Sequence, residues 1–218
     1  MSSQPDAPSI RATIDLVVGV LLLFVGIIGV ASGLMISALA DREAITRLVE
    51  EGILEAGGVD DAHLVELILG LLQWGGIGLA MAGGFILGGT AVFGVIRYRA
   101  HRRGRVEGSL YADGVVGAVI TMLTSFIPFS PLIGGIAAGY LYRRGRWPGV
   151  RVGSVVGLLV AAPVIVVGAV LAVGYADAAL LWASLIVVFL VVISTIVTVL
   201  LAGVGGYVGG YIQGDRGR

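Results

Sequence analysis

Four stretches of this chain, Ile14–Leu39, Leu67–Ile96, Val152–Val173 and Leu180–Ile212, stay apolar for longer than the roughly 20 residues a helix needs to cross a hydrocarbon core. Lipid offers backbone polar groups no partner, so segments that cross it must satisfy their own N–H and C=O groups as helices or closed barrels. The runs are continuous rather than alternating, which selects helices. Composition agrees: 57% of residues are hydrophobic and 13% are charged. The fold class expected is all-α, a polytopic transmembrane helical bundle.

Arginine sets the topology. All fourteen basic residues are arginine, and they cluster. Arg97, Arg99, Arg102, Arg103 and Arg105 follow the second run, while Arg143, Arg144, Arg146 and Arg151 precede the third. Asp41–Glu66 is the reverse, with eight acids against Arg42 and Arg47. Short arginine-rich loops stay cytoplasmic. Both arginine loops and both termini are therefore expected inside the plasma membrane, with the acidic loop outside. Ser37-Ala38-Leu39-Ala40 offers a signal-peptidase-like site, but the preceding run exceeds a signal peptide's apolar region, so it reads as a retained helix.

Residues Leu110–Tyr142 then leave one cytoplasmic loop and must return to another. The stretch Ser125–Gly135, SFIPFSPLIGG, is where they turn. Pro128 and Pro131 interrupt the helical hydrogen-bond ladder; Pro131 suits the first turn of a returning helix, with Ser130 as its cap. The expectation is four long helices plus a proline-broken short hairpin. Its arms, about 27 and 18 Å, make short spans or a re-entrant loop, of which short spans are preferred.

The outer loop carries Ile45, Leu48, Val49, Ile53 and Ala56 at helical spacing, implying an amphipathic extracytoplasmic helix over 41–56 ended by Gly57-Gly58. Asp60 or Asp61 would cap the next helix. Two units follow: residues 1–106, a two-helix unit with the acidic loop 41–66, and residues 107–218, a four-segment membrane domain. Gly134–Tyr140 and Gly205–Tyr211 both read GGxxxGY, which points to a parallel duplication of 111–146 and 152–218. Small residues four apart let membrane helices approach closely. Gly83, Gly84, Gly88, Gly134, Gly135, Gly139, Gly205, Gly206 and Gly210 are therefore expected at helix contacts. Internal packing is the first reading; a homo-oligomer seam, or a partner protein docked on 41–66, is the second.

From Tyr111 onward, "IPFSPLIGGIAAGYL", an arginine turn, "VGSVVGLL" and "GGYVGGY" together resemble an uncharacterised domain family of small glycine-rich archaeal membrane proteins, many from halophiles. The resemblance implies a four-segment membrane domain and carries no activity or catalytic residues. The first half resembles no family.

Chemistry is sparse. Without cysteine there are no disulfides, thiolate metal sites or thiol nucleophiles. No HExxH or GxSxG occurs, and the chain is not expected to be an enzyme. Cofactors, metals and nucleic acid are not expected either. His63 and His101 are solitary. Asp15 and Asp113 are read as helix-starting residues favoured by the dipole, and no charged residue is placed deep in an apolar run. The remaining candidates are Thr121, Thr124, Ser125 and Ser130, which could line a pathway at the hairpin tip or bond back to their own helices. The reading that results is a non-enzymatic structural or accessory bundle in the lipid bilayer. The alternative is a small channel or transporter with the 125–135 tip lining its path.

Overall fold

The apolar runs are helices, and they extend beyond their apolar limits. The computed structural model describes residues 10–55, 60–102, 110–142, 145–176 and 180–215. Gly57, Gly58, Arg103, Arg105, Arg143, Arg144 and Asp177 lie outside that set. The elements are α1 (Ile10–Ala38), α2 (Arg42–Glu50), α3 (Asp61–Arg102), α4 (Leu110–Leu123), α5 (Ser130–Tyr142), α6 (Arg146–Gly174) and α7 (Leu181–Asp215). Four are long and apolar enough to cross a membrane: Thr13–Ala38, Asp61–Arg99, Arg146–Gly174 and Leu181–Gly214. No strand occurs among the described residues.

Helix α2 is cut shorter than its periodicity suggested. Asp41 caps it, its carboxylate accepting the Glu43 N–H at 2.9 Å. The far end is Gly52, at φ +68°, a left-handed conformation that costs glycine nothing. Gly52 N–H reaches the Val49 carbonyl and Ile53 N–H the Leu48 carbonyl, both at 3.0 Å. This pair of bonds is a Schellman termination. Ile53 is thus outside the helix, correcting the expected extent to residue 56; the competing stop signal, Gly52, lies five residues before the glycine pair begins. Ile45 and Val49 are buried against Leu64 and Val65 of α3, and Arg42 pairs with Glu66. Asp60 stands at the cap position of α3, its carbonyl accepting the Leu64 N–H at 2.9 Å.

Helices α4 and α5 are 14 and 13 residues long, or about 21 and 20 Å. Both are shorter than a hydrocarbon core of about 30 Å. Residues 124–129 turn between them, held by Ile127 N–H to Thr124 O at 2.8 Å and Leu132 N–H to Phe129 O at 2.9 Å. Phe129 sits at φ +67°, the non-glycine exception to a negative φ among the described residues. Phe126 is 80% and Phe129 66% exposed, so the turn presents aromatic surface. Pro131 is the second residue of α5, where its missing N–H removes no helical bond.

The chain divides into two compact units that interleave along it. The first comprises residues 1–25, 87–160 and 199–218; the second comprises 26–86 and 161–198. Helices α1, α3, α6 and α7 contribute to both.

In the second unit, α1 and α3 meet backbone to backbone. A methyl added to Gly76 would lie 2.6 Å from the Ser37 nitrogen and 2.7 Å from the Gly33 carbonyl oxygen. Gly83 meets Gly26 and Val30 in the same manner. At the end of α6 the contacts are reciprocal: Tyr175 lies on Gly70 of α3, and Trp74 of α3 lies on Gly174. The Tyr175 hydroxyl donates to the Leu67 carbonyl at 2.8 Å, and burial pushes its phenol above the ordinary pKa. Ser184 of α7 donates to the Ala172 carbonyl of α6 at 2.9 Å.

In the first unit, α7 is seated between α5 and α6. Ala202 faces Gly135 of α5 and Gly153 of α6; Gly206 faces Gly139 of α5 and Gly149 of α6. At every one of these glycines an added methyl would strike backbone rather than a yielding side chain. The pairings rise together along α5 and α7 and oppositely along α6 and α7. The two GGxxxGY segments therefore run in the same direction, in contact. Gly145, at φ +94°, makes the turn into α6.

Candidate functional site

The polar residues that stand out lie in the first unit. Arg97, near the end of α3, pairs with Asp15 of α1 at 2.7 Å, with side chains 11% and 10% exposed. Asp113, in the first turn of α4, is also buried. These three, with Ile14, Val116 and Leu141, wall one hollow of about 30 Å³, the room of a single water. The Arg97 guanidinium also lies 5.7 Å from the centre of the Phe93 ring, one turn back.

This cluster corrects one expectation. Helix α1 starts at Ile10, so Asp15 is past the first turn, where a dipole interaction has faded. Arg11 and Ala12 are strong helix formers and carry the helix upstream. The charged residues are also buried, although they lie within one turn of the span ends rather than at mid-depth. Helical-face reasoning could have found them. Asp15 shares a face with Val18, and Arg97 with Phe93; both partners are buried.

The hydroxyls near the turn are placed as follows. Thr121 is buried and donates to the Gly117 carbonyl at 3.0 Å. Thr124 donates to the Ile120 carbonyl at 2.7 Å. Such back-bonding serves the helix's own carbonyls. Ser125 is exposed and Ser130 half-buried at the start of α5. Pro128, exposed, precedes Phe129 in the turn.

The glycines separate into two groups. Gly134 abuts Gly117 and Thr121 of α4; Gly205 and Gly210 approach the backbone at Leu132 and Gly145. Gly84 and Gly88 face open space, although Gly83 beside them is tightly packed. Of the topology arginines, Arg99 is exposed and Arg102 ends α3. Arg146 lies over the Tyr211 ring at 4.1 Å.

Beside the charged cluster an apolar groove of about 550 Å³ runs between α1 and α4. Its floor is Val18, Val116 and Val119, all buried, and its rim includes Val17 and Leu123, both exposed. Among the described residues no three His, Cys, Asp or Glu side chains converge to hold a metal.

The arrangement is that of a helical protein with four apolar spans that fit a lipid bilayer. No curated protein and no solved structure matches the chain. Residues 111–212, from the start of α4 almost to the end of α7, match the model of a family of unknown function, DUF5518.

Proposed function

We propose that the protein is a non-enzymatic membrane bundle with a structural or accessory role. In this reading both termini and both arginine loops are cytoplasmic, and α2 lies outside. Pro128 and Pro131 turn the chain so that α4 and α5 form a hairpin. The observation that carries the reading is the seating of α7 between α5 and α6 through Gly135, Gly139, Gly149, Gly153 and Gly206. Backbone contact of this kind supplies the packing that lipid denies to apolar side chains. It suits a part that holds its shape. The hydroxyls of Thr121 and Thr124, bonded to their own helix, support the same view. Reconstitution into proteoliposomes tests it: flux of Na⁺, K⁺, protons or small neutral solutes should equal that of empty vesicles. A solute flux abolished by Thr124→Ala with Ser130→Ala would overturn it.

One observation favours a second reading, a small channel or transporter with residues 125–135 lining its path. Ionisable side chains inside membrane helices mark ion and proton routes, and Asp15, Arg97 and Asp113 are such a group. In that case Asp113→Asn would abolish the flux as well.

A further inference from the structure

We propose that the hollow between α1, α3 and α4 holds one ordered water molecule, which joins the carboxylates of Asp15 and Asp113 to the guanidinium of Arg97. Each of the three helices supplies one charged wall: Asp15 from α1, Arg97 from α3 and Asp113 from α4. Ile14, Val116 and Leu141 make up the apolar remainder.

Size limits the occupant first. The hollow measures about 30 Å³. That is room enough for one water and far below the roughly 300 Å³ at which pockets for organic ligands begin. The hollow is also walled by ionised groups, the setting in which a cavity is wet rather than empty.

The chemistry of the walls narrows the choice further. An ionised carboxylate only accepts hydrogen bonds, and a guanidinium only donates them. A bare cation would suit Asp15 and Asp113 but be repelled by Arg97. A small anion would suit Arg97 but be repelled by both carboxylates. Water answers both demands: its oxygen accepts an N–H from Arg97 while its two hydrogens go to the two carboxylates. Three bonds are the usual number for a buried water. All three side chains are about nine-tenths buried, and bonds to charged groups are strong in so dry a setting. Asp15 and Arg97 already pair at 2.7 Å. The water extends that pair to Asp113 and so ties the first turn of α4 to α1 and α3.

The test uses the full chain in detergent, equilibrated in heavy-oxygen water and exposed to brief X-ray pulses. Hydroxyl radicals formed from an ordered water mark the side chains beside it. Val116 borders the hollow; Val115 and Val119 are equally buried on the same helix and lie outside it. Val116 should therefore be oxidised several-fold faster than either. In Asp113→Leu, which removes one acceptor and fills the space with hydrocarbon, Val116 should fall to the rate of Val119. Equal oxidation of the three valines in the unaltered chain would overturn the site, as would an undiminished Val116 rate in Asp113→Leu. If Asp113→Leu does not fold, a crystal structure of the unaltered chain decides. One water peak is expected about 2.7–3.2 Å from both carboxylates and the guanidinium. A side chain or an ion in that place, or no density there, would overturn the assignment.

Discussion

Adding one methyl at Gly206 tests the packing most sharply. Its Cβ would meet the Gly149 backbone of α6, with the Gly153 Cα at 3.0 Å. Helix α5 closes the other side, where Gly139 abuts the Gly206 carbonyl. Neither neighbour can swing aside, so α6 and α7 must separate. Overpacking of this kind costs about 1–3 kcal/mol, while Gly→Ala within a helix returns about 1 kcal/mol. The net for Gly206→Ala is a loss of about 0–2 kcal/mol. Gly84→Ala is the control, because an added methyl there meets nothing within 4 Å. It keeps the propensity gain of about 1 kcal/mol without the clash. The difference between the two variants isolates the clash at about 1–3 kcal/mol. In a protein of this size that is a gap of about 2–12 °C in melting temperature. Thermal unfolding in detergent, followed by circular dichroism, reads it directly. Equal melting temperatures for the two variants would refute the account of α7 as a helix held by backbone contact.

Other expectations follow from the same geometry. Arg97→Gln strands the Asp15 charge in a buried site and should cost about 3–5 kcal/mol, while adding Asp15→Asn should recover a large part; a double-mutant cycle in detergent melts measures the coupling. Phe129→Gly relieves a left-handed residue whose ring is mostly exposed, so unfolding should shift upward by about 1 kcal/mol. Tyr175→Phe removes the bond to the Leu67 carbonyl and should destabilise by about 0.5–1.5 kcal/mol in the same assay.

Some of this architecture is legible in the amino-acid sequence. The long apolar runs are visible because a membrane span is a matter of length and hydropathy, with no partner to identify. An interruption between α4 and α5 is visible because Pro128, which falls between them, has no N–H to give a helix. Partner-dependent features are not. Gly83 and Gly84 are neighbours in a GGFILGG run, yet only Gly83 touches another helix, because successive side-chain positions point about 100° apart. Asp15 and Arg97 are distant in the chain and near helix ends, where each alone reads as an interfacial charge. Their pairing needs α1 and α3 side by side. The stop at Gly52 was obscured by a stronger-looking glycine pair a few residues later.

The claim on which the topology rests is that α4 and α5 return the chain to the side it left. The sequence lacks cysteine, so Arg102→Cys and Arg144→Cys can each be introduced singly and probed in sealed vesicles with a membrane-impermeant maleimide. The account predicts labelling of both from the cytoplasmic face alone. Labelling from opposite faces would contradict it.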